Sequence, residues 1–445
     1  MRTDTILKFA NERVPRYTSY PTAPHFSSTI NGSTYGRWLT ELDRSKPVSL
    51  YLHVPFCRAM CWYCGCHTRA TRQNEPVERY ADALLKEIDI VAASAGGRLE
   101  VSHVHWGGGS PTYLPADRFA GLMDHIRQRF DVLSDAEIAV EVDPRIFDAA
   151  MQGAFISAGV TRASLGIQTF DDTVQRAVNR IQPPEVVEEC VDMLRDAGVT
   201  GLNFDLIYGL PLQTTENCVS TARTALHFDP DRFSVFGYAH VPHMKPHQKM
   251  IDEADLPDAT ARLAQADAIA DVLTSHDHVA VGMDHFARSG DALAKAQHKG
   301  TLRRNFQGYT TDTASAIIGL GASAIGRLPQ GYVQHTSSTH EWERRVREGE
   351  LPTARGYRLT TEDRLRSDII EELMCTLSVD PELHAVRHER DMPRPDLDAF
   401  EAAGVVIRDG SRIIVPPQYR ALVRSVAAAF DGYLANSAAR HSVAV

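Results

Sequence analysis

Residues 48–66 read Val48-Ser-Leu-Tyr-Leu-His-Val-Pro-Phe-Cys57-Arg-Ala-Met-Cys61-Trp-Tyr-Cys64-Gly-Cys66. A short apolar strand, Val48–Val54, runs into a loop crowded with thiols. The same kind of unit, strand then polar loop then amphipathic helix, recurs along the chain. Candidate strands are Val48–Val54, Val101–Trp106, Ile138–Asp143, Arg162–Ile167, Gly201–Ile207 and Phe233–Ala239. Between them lie helical stretches such as Val77–Ala93, Pro115–Phe130 and Pro184–Ala197, the last with proline in its first turn and Gly198 just past its end. Strand–helix alternation implies a parallel sheet with right-handed crossovers. Six such units predict an α/β fold, a partial parallel (β/α)6-type barrel. After Gly356 the texture changes to helix (Thr360–Leu377), a proline-broken stretch (Asp391–Pro395), helix (Leu397–Ala403), a strand pair (Val405–Val415) and helix (Tyr419–Leu434). The expected organisation is an N-terminal arm over residues 1–45, a barrel over 46–355 and a small, mainly helical C-terminal domain over 356–445.

The C-terminal ends of parallel barrel strands converge on one mouth, where active sites lie. The cysteine loop follows the first strand, Gly107-Gly108-Gly109 the second, and Glu141 and Asp143 end the third. Gln168 ends the fourth, Asp205 lies near the end of the fifth, and Tyr238-Ala239-His240 end the sixth. Cys57, Cys61 and Cys64 stand at C-x3-C-x2-C spacing. Three thiolates in one short loop can bind three irons of a cubane cluster and leave the fourth open. That iron can chelate the amino and carboxylate groups of a methionine moiety. A structural zinc site would join two separated Cys/His pairs, and no second pair stands at a suitable distance. The loop is instead lined by Phe56, Met60, Trp62 and Tyr63. Three glycines after a strand let backbone approach a ligand, and Glu141 and Asp205 can accept hydrogen bonds from ribose hydroxyls. His240, His243 and His247 read as loop histidines, with no carboxylate or cysteine to complete a metal set.

The bulk composition is ordinary for a soluble globular protein of this size. The 445 residues are 43% hydrophobic and 23% charged, with a net charge of −10. That charge argues against a general nucleic-acid or anionic-membrane binder, though not against a local basic pocket. No apolar run reaches the roughly 18–20 residues of a membrane helix. Met1–Arg16 has no signal-peptide core, so a cytoplasmic protein without membrane insertion is expected. Seven cysteines, four of them within Cys57–Cys66, make a poor disulfide framework. Cys190, Cys218 and Cys375 read as small buried apolar residues.

The cysteine spacing resembles the signature of the radical S-adenosylmethionine (SAM) superfamily. Over nearly its full length the chain is similar to one family within it, the oxygen-independent coproporphyrinogen III oxidases, or coproporphyrinogen dehydrogenases. The matching stretches are Arg16-Tyr-Thr-Ser-Tyr-Pro-Thr-Ala23, the cysteine loop, His105-Trp-Gly-Gly-Gly-Ser-Pro-Thr-Tyr113 and Glu141-Val-Asp-Pro-Arg145. They continue with Ser164-Leu-Gly-Ile-Gln168, Asn203-Phe-Asp-Leu-Ile-Tyr-Gly-Leu-Pro211, Gly282-Met-Asp-His-Phe-Ala287 and Arg304-Asn-Phe-Gln-Gly-Tyr309. Ser110 stands where threonine is more usual, and Trp62-Tyr63 where Tyr-Phe is.

The resemblance implies one [4Fe–4S] cluster on Cys57, Cys61 and Cys64, with Cys66 near the site but not a ligand. It implies two SAM molecules: one at Tyr51, Gly108, Glu141 and Ile325, the second at Tyr63, Gly109, Ser110, Gln168, Arg180, Asp205 and Ala239. The implied reaction is oxidative decarboxylation of two propionates of coproporphyrinogen III to vinyls, giving protoporphyrinogen IX, through a 5′-deoxyadenosyl radical. A reducing donor such as flavodoxin or ferredoxin and a monomeric enzyme are expected with it. The arm carrying Tyr17 to Thr22 resembles a segment that closes over substrate. Arg16, Tyr17, Tyr20, Arg303 and Arg304 are candidates for contacting it. The rival readings are a heme-binding chaperone of the same family and a radical SAM methyltransferase.

Overall fold

A computed structural model describes residues 2–10 and 12–434. Strand β1 (Val48–Val54) is followed by β2 (Glu100–Gly108), β3 (Asp131–Val142), β4 (Arg162–Gln168), β5 (Gly201–Tyr208) and β6 (Arg232–Gly237). Each pairs parallel with its predecessor. These are the six sequence-predicted strands, with ends shifted by a few residues; β3 starts earlier, at Asp131, where its chain is polar and half-exposed.

The sheet has twelve strands rather than six. β7 (His278–Val281) and β8 (His285–Arg288) add antiparallel beyond β6. β9 (Ile317–Leu320) returns to pair parallel with the free edge of β1. β10 (Ile325–Leu328), β11 (Gly331–His335) and β12 (Thr353–Arg358) extend it antiparallel. The order is β12-β11-β10-β9-β1-β2-β3-β4-β5-β6-β8-β7. Side chains from β1 through β6 and from β8, among them Ser49, His103, Glu137, Arg162, Asn203, Arg232 and His285, line one interior cavity of about 240 Å³. A flat sheet could not bring them together, so this sheet curls into the expected partial barrel.

Helices pack on the outside for the usual reason: an apolar stripe has to leave water. In helix Glu75–Ser94 the stripe is Val77, Tyr80, Ala81, Leu84, Ile88 and Val91, all buried against β1 and its neighbours. A second core joins Ile6, Phe9, Tyr17 and Tyr20 to Leu365, Ile369, Leu373, Val426 and Phe430. The stretch read as an arm therefore divides. Ile6, Phe9, Ala10, Val14, Tyr17 and Tyr20 pack with the C-terminal segment, whereas Tyr35, Trp38 and Leu39 of helix Gly32–Thr40 enter the barrel core. The last predicted helix, Tyr419–Leu434, is shorter. Pro416 and Pro417 open a 3-10 turn that kinks at Tyr419, and the α-helix spans only Val423–Ala428. Among the described residues no helix is long and apolar enough to cross a membrane.

One buried carboxylate ties outer helix to sheet. Glu87 is fully buried and accepts from the Gly321 N–H (2.6 Å) and the Trp342 indole (3.1 Å), with His335 Nδ1 at 3.0 Å. Tyr80, on the same helix face, donates to His53 O at 2.7 Å and accepts from Ala322 N at 2.8 Å. Glu87→Leu strands two buried donors at once, the Gly321 N–H and the Trp342 indole, a change expected to cost about 2 kcal/mol or more. Urea unfolding should show that loss; a cost under about 0.5 kcal/mol, typical of a surface substitution, would exclude Glu87 as a structural tie.

Candidate active site

The ladder between β1 and β2 continues past the strand ends. Gly109 N–H donates to Val54 O and Ser110 N–H to Phe56 O, each at 2.8 Å. The cysteine loop is thereby held against the glycine triplet. Close packing explains the glycines. A Cβ on Gly107 would lie 2.6 Å from Glu141 Oε1, and one on Gly109 would lie 2.6 Å from Phe56 O. Gly108 adopts φ +114°, and a Cβ there would strike the His53 ring at 2.7 Å. Its N–H donates to Glu141 Oε2 at 3.1 Å.

One cavity brings most of the expected residues together. Cys57, Cys61, Cys64 and Cys66 line one side, with Tyr63. Gly108, Gly109, Glu141, Gln168, Arg180 and Asp205 come to it from the ends of β2 to β5 and the turn after Gln168. Tyr51, Ser110, Ala239 and Ile325 stand back from this lining. Tyr51 donates or accepts at His53 Nδ1 (3.0 Å) and stacks on His105. Ile325 lies beside Gly319, the β9 partner of Tyr51. Ser110 is buried under the cysteine loop. Ala239 lies behind it, where the Gln248 amide donates to both Tyr63 O (3.1 Å) and Ala239 O (3.3 Å).

Asp143, Arg145 and Thr68, to which the sequence reading gave no ligand role, complete the wall with Arg180. Asp143 accepts from Arg145 at 2.7 and 2.8 Å and stands 3.6 Å from Arg180. Burial pushes its carboxyl up, but Arg180 and Arg145 outweigh that and hold it down at about 2. Arg180 donates to Gly166 O (2.5 Å) and to Cys61 Sγ (3.5 Å), and Arg145 reaches the same sulfur at 3.8 Å. The Arg180 guanidinium thus faces the cavity; only its backbone N–H closes the preceding turn, to Gln175 O. Thr68 Oγ1 lies 3.2 Å from Cys57 Sγ. Burial raises the Cys57 thiol to about 12, whereas a hydrogen bond with Cys66 draws Cys64 down to about 6. Burial, then the nearby Glu141 charge, raise Asp205 to about 6.

The cavity fits a cluster and a charged, hydroxyl-rich ligand. Four thiols line it, and the Arg145 and Arg180 guanidiniums both reach Cys61 Sγ. Arg180 Nε and Gln168 Oε1 are buried there without hydrogen-bond partners among the described residues. Such orphaned groups cost roughly 1–3 kcal/mol each unless a ligand meets them. The histidines form no competing centre: His240 meets Tyr238 and Glu253, and His247 meets Cys64 O. No group of three His, Cys, Asp or Glu side chains that could hold a single ion occurs among the described residues.

The substrate candidates separate. Arg16 donates to Gly237 O at 3.2 Å, at the end of β6. Tyr17 and Tyr20 are buried in the second core, where Tyr17 donates to Asp431 and Tyr20 accepts from Gly432 N, both at 3.0 Å. Arg303 is exposed and pairs with Glu371 at 3.6 Å. Arg304 is buried over the Tyr309 ring and donates to Arg16 O at 3.3 Å.

A curled α/β sheet with three thiols beyond its first strand defines the radical SAM class, and the Radical SAM superfamily pattern matches residues 51–225. The chain is 52% identical to the oxygen-independent coproporphyrinogen III oxidase of Bradyrhizobium diazoefficiens, covering all of both chains. It is 41% identical to that of Paracoccus denitrificans over 97% of each. The coproporphyrinogen III oxidase HemN of Escherichia coli, described as a radical SAM enzyme, superposes with TM-score 0.88 at 36% identity, covering 95% of this chain and all of that one. The chain belongs to the oxygen-independent coproporphyrinogen III oxidase family.

Removing a thiol tests the ligand assignment. Cys57→Ala, Cys61→Ala and Cys64→Ala are each expected to abolish iron–sulfur absorption after anaerobic reconstitution, if each thiolate is to hold a different iron. Cys66→Ala is expected to retain it. Iron and sulfide content of the four variants measures the difference, and a reversed order would reassign the ligands.

Proposed function

We propose that this chain carries out oxygen-independent oxidative decarboxylation of two propionates of coproporphyrinogen III to vinyls, giving protoporphyrinogen IX. The observation that carries the reading is the thiol cavity with its orphaned polar groups, in a chain whose full length matches oxidases of that name. Cys57, Cys61 and Cys64 would hold a [4Fe–4S] cluster, and Glu141 with the Gly108 backbone would receive a first SAM, beside Tyr51 and Ile325. When bound, cluster and SAM would supply a carbon radical that takes a hydrogen atom from the substrate, a donor such as flavodoxin or ferredoxin providing the electron for it, and each loss of CO₂ would pass one electron to an external one-electron acceptor.

The chain's own work is positioning. Arg180 is our candidate for the carboxylate of a second SAM, since its guanidinium faces the cavity and its Nε lacks a partner among the described residues. Gln168 stands beside it. Asp205, held by Asn203 at 2.9 Å and Ser164 at 3.3 Å, is our candidate for ribose hydroxyls. Tyr63, Gly109, Ser110 and Ala239 would complete that subsite. Burial excludes water from the reacting carbon and strengthens each of these contacts.

Anaerobic turnover is expected to release two CO₂ and consume two SAM per protoporphyrinogen IX. Stoichiometric heme binding without CO₂ would replace this reading with the chaperone, and methyl transfer to the porphyrinogen with the methyltransferase.

Asp205 gives the second SAM a pH signature. Its carboxyl is neutral below about 6 and charged above. A charged acceptor binds hydroxyl donors more strongly. SAM bound per cluster should therefore rise as pH increases from about 5 to 7, and Asp205→Asn should remove the rise. Equilibrium dialysis with radiolabelled SAM measures it; a flat profile in the parent protein would remove Asp205 from the ribose.

A further inference from the structure

Beyond β6 lies a second cavity, of about 470 Å³. Its walls come from the residues after β6, helix Ala259–Thr274, helix Arg2–Ala10 and the C-terminal segment around 420–424. Six arginines line it: Arg2, Arg13, Arg16, Arg262, Arg420 and Arg424. Its two carboxylates are already engaged. Asp267 takes a bidentate pair from Arg2 at 2.6 and 2.9 Å, and Asp284 accepts from His285 Nδ1 at 2.7 Å.

Arg16, Arg420 and Arg262 are held by weaker partners. Arg16 has Gly237 O and the Phe236 ring. Arg420 has Gly282 O at 3.1 Å and the Phe286 ring. Arg262 lies over the Tyr208 ring, and its buried Nε has no hydrogen-bond partner among the described residues. None of these three makes an ion pair among the described residues. Arg424 is only 5% exposed; burial and the nearby Arg16 charge bring it down to about 10. Crowded, buried like charges are costly to fold and are relieved by an anion. Between them stand Val235, Leu263 and Met283, an apolar surface. The cavity suits a ligand with several carboxylates spread round an apolar frame.

It also adjoins the thiol site. Ala239 lines its wall, and Gln248 ties Ala239 O to Tyr63 O in the cysteine loop. Of the sequence-derived substrate candidates only Arg16 faces it. Arg304 braces Arg16 from behind, through Arg16 O.

We propose that Arg262, Arg420 and Arg424, with Arg16, bind the propionate carboxylates of the tetracarboxylate substrate that are not under attack. This rests on the reaction proposed above. Guanidinium is the side chain best matched to carboxylate, through paired N–H donors.

The test uses reconstituted enzyme and coproporphyrin III, the stable oxidised tetra-acid, with binding read by fluorescence. R262Q and R420Q are each expected to weaken binding by about tenfold, the size of a lost charge-assisted hydrogen bond, while the cluster absorption persists. R420K should recover part of the loss. On the parent protein, the tetramethyl ester of coproporphyrin III should fail to compete, an arm that does not depend on any variant folding. Ester binding as tight as the acid, or variant affinities within twofold of the parent, would overturn the proposal. Tight arginine-dependent binding with no CO₂ release would keep this site and remove the reaction. Normal decarboxylation with unchanged KM in R262Q would do the reverse.

Discussion

Two backbone hydrogen bonds, Gly109 N–H to Val54 O and Ser110 N–H to Phe56 O, carry the β1–β2 ladder beyond the strands and into both loops. The site depends on this extension. A parallel ladder normally ends where side chains splay apart, and here glycine lets it run on. His53, Phe56 O and Glu141 occupy the space that side chains on Gly107, Gly108 and Gly109 would need. The cysteine loop is consequently fixed against backbone on one side. On the other, His247 and Lys245 grip Cys64 O at 2.7 Å and Cys66 O at 2.8 Å. A loop that must present three sulfurs at once gains from being pinned on both flanks, because each frozen residue otherwise costs about 1–2 kcal/mol of backbone entropy at the moment of binding.

Behind that pin stands a group of shared charges. Asp143 is shared by Arg145 and Arg180, and both guanidiniums also reach Cys61. The carboxylate keeps two buried cations from repelling one another, and the cations keep it ionised. Removing Asp143 would leave two neighbouring guanidiniums without their shared carboxylate, the most damaging loss of the three. The triad is therefore structural for the cavity as well as available to a ligand.

The central fold was legible because parallel strands buried on both faces write themselves as apolar runs. Val48, Leu50, Leu52 and Val54 are fully buried, and β1 ends where the run does. The cysteines were legible because local spacing is a local property. The added strands were not. β7 to β10 have four residues each, too few for a period to declare itself. Asp143, Arg145 and Arg180 were visible as letters, but their convergence on Cys61 joins residues up to 119 apart in sequence. Ser110, Ala239 and Ile325 show the opposite case: residues matched by motif that stand behind the lining.

The arm and the C-terminal segment belong to one argument. Tyr17 and Tyr20 face residues 431 and 432, not the thiol cavity, so these aromatics of the arm act as anchors. What they anchor is Arg16, one residue before Tyr17, at the rim of the arginine cavity, with Arg420 and Arg424 supplied by the same C-terminal segment. The net charge of −10 hides this concentration of cations. Global charge governs solubility and long-range repulsion, whereas recognition depends on the few groups inside a low-dielectric wall. Three segments far apart in the chain, 2–16, 262 and 420–424, meet there, and each alone is an unremarkable basic residue near a helix. Docking of the arm on the C-terminal core is thus the step that assembles the cationic cavity, as the β1–β2 ladder assembles the thiol one.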